Sequence, residues 1–182
     1  MKDYGINFCL KGSMEIEELN FLQELASQSS GDILEIGAYQ GRTAIAMAEV
    51  LDEKYKIYSV DVWQGQQMEE NVFLTKEVFL KNVSDAGFSD RVEAIQEASE
   101  IIDWAGRGEL GMVVIDGCHK YHCVKSDCRF AQYIKSGGIL AFHDYISPNY
   151  QDTVMRAVDE FVGGTSFKKI GLERSLIAFR NE

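Results

Sequence analysis

Short apolar runs alternate with longer helix-like segments along nearly the whole chain, and this alternation constrains the fold more than any other feature. Strands of a parallel sheet are covered on both faces, so they are apolar throughout and do not alternate with polar residues. Five runs fit this description: Ile33–Ile36, Ile57–Val60, Val92–Ile95, Met112–Ile115 and Ile139–Phe142. The pattern predicts an α/β fold, Rossmann-like and doubly wound.

The end of the chain differs from this pattern. Two further apolar runs, Phe167–Ile170 and Ser175–Phe179, are separated only by Gly171–Arg174. So short a connection permits a hairpin but not a helical crossover. We therefore expect a mostly parallel seven-stranded sheet with a C-terminal antiparallel hairpin, which is not the usual arrangement of a dinucleotide-binding domain.

Helices are predicted between the strands, and the first begins at Met14 with Ser13 as its N-cap and ends at Ser27. The others are Thr43–Leu51, Thr75–Ala86, Ser99 toward Arg107, Tyr121–Ile134 with Gly137 and Gly138 stopping it, and Gln151–Val162. Residues 31–182 are interpreted as the cofactor-binding domain and residues 1–30 as a helical segment on the acceptor side. Because loops carry specificity, Met1–Ala26 and Trp63–Asn71 are expected to shape the acceptor pocket.

Charge and hydropathy limit the partners. The formal net charge of -11 would repel phosphates over the whole surface, so neither nucleic acid nor an anionic membrane is expected as the main partner. No apolar run approaches the roughly 20 residues of a membrane-spanning helix, and the N-terminus has no continuous apolar segment. The sequence favours a cytoplasmic protein with a small-molecule substrate. It does not determine whether the chain is a monomer or a homo-oligomer.

A loop between the first predicted strand and its helix indicates a cofactor. Gly37 permits a sharp turn near a ligand, and Gly41 permits close packing of the helix. Asp61 ends the next strand about 20 residues further on, where an acidic residue binds ribose hydroxyls. Together the loop and the acid predict a nucleoside cofactor, and a solvated Asp61 is the alternative.

Two residues of the loop refine this prediction. Glu35 ends an apolar strand, where a buried carboxylate needs hydrogen bonds, so it either anchors the loop or meets the amino group of a ligand. Tyr39 stands where a dinucleotide loop has its middle glycine, which leaves less room for a pyrophosphate. The loop therefore favours S-adenosylmethionine, which has no pyrophosphate.

Four motifs follow strands one, two, four and five: Glu35–Thr43, Val60–Trp63, Ile115–Tyr121 and Gly137–Tyr145. On these motifs the chain resembles class I S-adenosylmethionine-dependent methyltransferases, in the branch of macrocin-type and sugar O-methyltransferases. The resemblance implies that Gly37 and Gly41 line the methionine side, that Asp61 binds the ribose, and that Glu97, Ala98 and Ser99 border the adenine. The implied cofactor site also includes Glu35, Ala38, Tyr39, Val62, Trp63 and Asp116. Trp63 is predicted either to stack near the adenosine or simply to pack.

Four polar side chains are expected together at the carboxyl ends of strands four and five: Asp116, His119, His143 and Asp144. Metal-dependent relatives place three metal ligands at Asp116, His143 and Asp144, and a general base at His119. The donor set suits Mg²⁺ only moderately, because an imidazole suits Mn²⁺-like or softer ions better. His143 is therefore the weakest of the three ligands, and the alternative for it is a position facing the acceptor. The alternatives are a hydrogen-bonded cluster without an ion and a capping role for His119, whose unperturbed pKa nevertheless suits proton removal near neutral pH.

The function predicted from the sequence is O-methylation of a small hydroxylated metabolite or sugar. An NAD(P)-dependent oxidoreductase is the alternative among enzymes, and it predicts a parallel sixth strand. A cofactor-binding module without chemistry is the alternative outside enzymes, and it predicts that His119 is dispensable.

Overall fold

A computed structural model describes residues 10, 12–64 and 75–182 of the chain. Its strands are β1 Asp32–Ile36, β2 Ile57–Asp61, β3 Val92–Gln96, β4 Leu110–Ile115, β5 Ile134–Phe142, β6 Phe167–Glu173 and β7 Leu176–Asn181. Its α-helices are α1 Ile16–Ser27, α2 Arg42–Ala48, α3 Thr75–Asp85, α4 Tyr121–Asp127 and α5 Arg156–Val162. Among these residues, no helix is long and apolar enough to cross a membrane.

The strands form one seven-stranded sheet in the order β3-β2-β1-β4-β5-β7-β6. Strands β1 to β5 pair in parallel, and β7 runs antiparallel to both β5 and β6. This topology confirms the predicted Rossmann-like sheet and its C-terminal hairpin. The chain order reverses between β1 and β4, and ligands of open α/β sheets bind at the carboxyl edge beside such a switch point.

The N-terminal helix belongs to the same core as the sheet. Leu19, Leu22 and Leu25 of α1 are almost completely buried, and they pack with residues of β1 and α2 such as Ile33 and Met47. A second apolar cluster covers the other face of the sheet. From residue 12 onward, the predicted N-terminal segment is therefore part of the domain, while its contribution to an acceptor pocket stays a prediction.

The start of α1 is later than predicted. The helix begins at Ile16, and Glu15, not Ser13, is the N-cap. The physical reason is a reciprocal cap: the side chain of Glu18 folds back and accepts a hydrogen bond from the backbone N–H of Glu15 at 2.8 Å. Of the other acceptor segment, Trp63–Asn71, residues 65–71 lie outside the described part of the chain.

Several predicted helices are shorter than expected. The helix after β1 ends at Ala48 and not at Leu51, and the last helix begins as the π-helical turn Gln151–Met155 and is α-helical only from Arg156. The segment after β3 forms only a 3₁₀ turn, Ser99–Ile101, and then an irregular connection with Gly106 and Gly108 at positive φ. The helix after β4 ends at Asp127 and continues as the 3₁₀ segment Cys128–Tyr133. After β3, the positive φ of the two glycines is incompatible with a helix. After α4, the tighter 3₁₀ turns replace the α-helical hydrogen-bond pattern.

Gly137 and Gly138 do not stop a helix but lie within β5. A Cβ on Gly138 would come 2.9 Å from the carbonyl oxygen of Gly111, so the close approach of β4 and β5 requires glycine here. The pairing of these strands shifts register between Leu110 and Met112, at the same level.

Candidate active site

The loop after β1 touches the loop after β4 at Gly37. The backbone N–H of Gly37 donates to Val60 O at 2.9 Å, and that of Asp116 donates to Ile36 O at 2.8 Å. Gly37 has a φ of 92°, and a Cβ there would overlap the carbonyl group of Asp116 and lie 2.8 Å from Cα of Gly117. Glycine is therefore required twice, by conformation and by space.

The remainder of this loop also uses left-handed backbone. Tyr39 has a φ of 44° and an exposed side chain, so an aromatic residue takes a conformation that favours glycine. Gly41, with a φ of 87°, precedes α2, and a Cβ there would come 3.0 Å from the ring of Phe79. This contact confirms the prediction that Gly41 permits close helix packing.

Asp61 at the end of β2 holds the loop in place. Its Oδ2 accepts hydrogen bonds from the backbone N–H groups of Ala38 at 3.1 Å and Tyr39 at 2.9 Å. Its Oδ1 accepts one from the N–H of Trp63 at 2.9 Å. Because a carboxylate offers about four acceptor positions, one position on Oδ1 remains for a ligand hydroxyl.

Glu35 is buried beneath the loop, with 1% of its surface exposed. Its carboxyl group accepts hydrogen bonds from the hydroxyls of Thr43 on α2 and of Ser59 on β2, the latter at 2.6 Å. Burial raises the pKa of Glu35 to about 7, against the opposing effect of these two hydrogen bonds. Of the two sequence interpretations, the contacts are those of a loop anchor, and contact with a cofactor stays a prediction.

The carboxyl ends of β4 and β5 bring four side chains together as expected. Nδ1 of His143 lies 2.9 Å from Oδ1 of Asp116 and 3.6 Å from Oδ2 of Asp144. Nε2 of His119 lies 2.9 Å from Oδ2 of Asp144 and 3.6 Å from Oδ1 of Asp116. Two imidazole nitrogens and two carboxylate oxygens thus face one another at the sheet edge, above the loop contact at Gly37.

Comparison with known families decides the class of this site. A family model described as a methyltransferase domain matches residues 34–145, more than half of the chain, from β1 to just beyond Asp144. The chain belongs to this methyltransferase family. Membership confirms the resemblance to class I S-adenosylmethionine-dependent methyltransferases that the four motifs indicated.

Solved structures of methyltransferases share the fold. The chain is similar to the O-methyltransferase NovP, with 16% identity and a TM-score of 0.76 over 92% of this chain and 81% of that one. It is similar to an O-methyltransferase from Bacillus cereus in complex with SAH, with 15% identity and a TM-score of 0.73 over 97% and 86%. It also resembles CalS11, a TDP-rhamnose 3'-O-methyltransferase of calicheamicin biosynthesis, with 15% identity and a TM-score of 0.66 over 89% and 76%. No curated protein sequence matches the chain.

The methyltransferase's other predicted cofactor residues lie around the same edge. Val62 is exposed, and Ala98 and Ser99 are half-buried at the 3₁₀ turn after β3. Trp63 is buried against Phe79, with ring centroids 5.1 Å apart, and its Nε1 donates to Tyr39 O at 2.8 Å. The contacts of Trp63 are therefore those of packing beneath the loop, and its stacking on adenosine stays a prediction.

The charges at the sheet edge perturb both histidines. Burial alone would lower their pKa values, but hydrogen bonds and the charges of nearby carboxylates raise the pKa of His119 to about 9 and that of His143 to about 10. The same contacts outweigh the burial of Asp116 and lower its pKa. The unperturbed pKa assumed for His119 from the sequence is therefore wrong for the cation-free protein, because two carboxylates face its ring.

These donors fit a divalent cation. Ligand atoms of Asp116, His143 and Asp144 all lie within 4.8 Å of one another. Two atoms bonded at right angles to an ion at about 2.1 Å would lie about 3 Å apart, close to the separations found here. Two carboxylates and an imidazole suit Mn²⁺ or a softer ion better than Mg²⁺.

Sequence reasoning missed Glu18, which reaches this cluster from α1. Its side chain is 2% exposed, and Oε2 lies 3.2 Å from Nε2 of His143. Although burial opposes its ionisation, hydrogen bonds from His143, Ser175 and the backbone lower the pKa of Glu18 to about 2. The sequence showed only a glutamate in the first turn of a helix, which is common at that position.

The buried carboxyl group of Glu35 makes the free energy of unfolding depend on pH. Its folded pKa of about 7 lies above the ordinary 4.5, so its contribution to stability is greatest below pH 4.5 and is lost as pH rises through 7. Across this window we expect the wild type to lose about 3 kcal/mol relative to Glu35→Gln, since one pKa unit corresponds to about 1.4 kcal/mol. Urea denaturation of both proteins across the window measures the difference, and a difference independent of pH contradicts the prediction.

Proposed function

We propose that this methyltransferase transfers the methyl group of S-adenosylmethionine to a hydroxyl oxygen of a small metabolite or sugar. The observation that carries the proposal is the Asp116, His119, His143 and Asp144 cluster beside the glycine loop of a methyltransferase fold. Support for the hydroxyl acceptor comes from the O-methyltransferases that share the fold, and support for a sugar comes from CalS11, which methylates TDP-rhamnose.

The cofactor would be held by the loop and by Asp61. Gly37 and Gly41 would line its methionine side, with Ala38, Tyr39, Val62 and Trp63 nearby. Asp61 would bind a ribose hydroxyl through its remaining acceptor position. Ala98 and Ser99 would border the adenine.

Methyl transfer requires an acceptor oxygen in line with the sulfonium and removal of the acceptor proton. His119 is the proposed general base: its ring stacks on Tyr150 with centroids 4.4 Å apart, and the contact with Asp144 orients it. Asp116, His143 and Asp144 are the proposed cation ligands. A bound divalent cation would supply a lowered pKa at the acceptor hydroxyl.

Calorimetric titration with S-adenosylhomocysteine and with NAD⁺ tests the cofactor, each with and without Mn²⁺. We expect the thioether to bind and NAD⁺ not to bind, because the loop carries Tyr39 instead of a glycine beside the turn. Binding of NAD⁺ without binding of the thioether would overturn the proposal. A panel of sugars and hydroxylated metabolites with methyl-labelled cofactor then identifies the acceptor, with the Asp61→Ala variant as a control for cofactor dependence.

The alternatives find no such support. The oxidoreductase predicts a parallel sixth strand, whereas the strand that pairs with β5 at this end of the sheet is β7, which is antiparallel to it. The binding module without chemistry predicts that His119 is dispensable, and the rate of methyl transfer by a His119→Ala variant tests this.

A further inference from the structure

The carboxylate of Glu18 accepts four hydrogen bonds in the interior of the domain. Oε1 accepts from the backbone N–H of Ser175 at 2.9 Å and from its hydroxyl at 2.6 Å. Oε2 accepts from the backbone N–H of Glu15 at 2.8 Å and faces Nε2 of His143 at 3.2 Å. Four bonds fill the acceptor positions of a carboxylate, and a carboxylate has no proton to donate.

This saturation determines which nitrogen of His143 carries the proton. Since Oε2 of Glu18 can only accept, Nε2 of His143 must be the donor. In the neutral ring Nδ1 then holds the lone pair, and this nitrogen lies 2.9 Å from Oδ1 of Asp116 and 3.6 Å from Oδ2 of Asp144. Three electron-rich atoms facing one another at these distances require a positive charge among them, from a proton or a metal ion.

We infer that Glu18 is a positioning residue that fixes the tautomer of His143 and thereby sets the affinity of the Asp116, His143 and Asp144 site for a divalent cation. The inference rests on the metal site of the proposed function. A histidine that binds a metal commonly donates its other ring N–H to a carboxylate, which orients the ring and strengthens the ligand. Here that carboxylate comes from α1, more than a hundred residues before the histidine in the chain.

The first test is Mn²⁺ binding to the wild type and to Glu18→Gln, followed by the electron paramagnetic resonance of free Mn²⁺. The amide keeps the size of the side chain but is uncharged and has one acceptor oxygen for four donors, so the hydrogen bond from Nε2 of His143 is either lost or made to a weaker, neutral acceptor. We expect about 10- to 100-fold weaker Mn²⁺ binding, the usual effect of removing such a partner. Ser175→Ala is the matched control: it removes a hydrogen bond from the same carboxylate without touching His143, and its affinity should stay close to wild type.

The second test reads the proton on Nε2 and its hydrogen bond to Glu18 without any metal. Nitrogen-15 NMR of the cation-free wild type should show a protected N–H at Nε2 of His143, and this resonance should shift or disappear in Glu18→Gln. Wild-type protein that lacks the Nε2 proton overturns the inference, as does a Glu18→Gln variant that binds Mn²⁺ as tightly as wild type. If the N–H is present but wild type binds no Mn²⁺, the metal site of the proposed function fails, and with it the role of Glu18 in affinity, while the hydrogen bond from Nε2 of His143 to Glu18 stands.

Discussion

Replacing His119 by alanine is expected to lower the rate of methyl transfer by about two to four orders of magnitude, the usual contribution of a positioned general base. The ring lies at the sheet edge between Tyr150 and Asp144, where an acceptor hydroxyl would approach the predicted cofactor loop. Removal of the imidazole leaves the loop and Asp61 unchanged. Affinity for S-adenosylhomocysteine should therefore remain near wild type while the rate falls.

The measurement is turnover of the acceptor identified in the panel, together with Mn²⁺ affinity. His122→Ala is the matched control, because His122 lies in the first turn of α4, three residues after His119, but is exposed to solvent. An unchanged rate would remove His119 from the mechanism and favour the module without chemistry. A parallel loss of Mn²⁺ affinity would instead make His119 a ligand of the cation, since its Nε2 is close to both carboxylates.

The pKa of His119 bears on the same experiment. At about 9 in the cation-free protein, it leaves the imidazole protonated at neutral pH, where it cannot accept a proton. Positive charge bound at Asp116 and Asp144 would offset their effect on the ring and lower this pKa. A bound cation and the proposed base would therefore be coupled through two shared carboxylates, and this coupling would depend on distances that no sequence pattern contains.

Local patterns in the sequence predicted the sheet well for a physical reason. Buried parallel strands must be apolar on both faces, so their positions and the short Gly171–Arg174 connection could be read directly. The segment after β3 could not, because Gly106 and Gly108 take positive φ and Trp104 is buried within an irregular connection, which no local pattern indicates. Gly138 was equally ambiguous, since a glycine that stops a helix and one that permits close strands look alike in sequence.

The candidate site likewise contains residues that the sequence predicted and one that it did not. Asp116, His143 and Asp144 follow strands, so the topology alone brings them to one edge. Glu18 belongs to a helix whose orientation over the sheet depends on packing of Leu19 and its neighbours. Contacts that join distant parts of the chain through side chains are set by tertiary structure, which is why the hydrogen bond from His143 to Glu18 was not predicted.

Gly37→Ala is expected to destabilise the domain and to abolish binding of S-adenosylhomocysteine. A Cβ at Gly37 would overlap the carbonyl group of Asp116, which is backbone and cannot rotate away as a flexible side chain would. The variant suffers the cost of left-handed backbone, about 1–2 kcal/mol, and in addition an overpacking cost of about 1–3 kcal/mol. Separation of the loops after β1 and β4 would also displace both the loop that Asp61 holds and Asp116, a ligand of the proposed cation site.

Gly87→Ala separates these two costs. Gly87 has a φ of 81°, similar to the 92° of Gly37, but a Cβ there meets nothing within 4 Å. The control should therefore lose only the conformational part of the stability, about 1–2 kcal/mol, and bind the thioether normally. Urea denaturation and calorimetry of both variants measure the two effects. Equal destabilisation, with thioether binding retained in both, would mean that the contact between Gly37 and Asp116 yields easily, and that the loop is positioned by Asp61 and Glu35 alone.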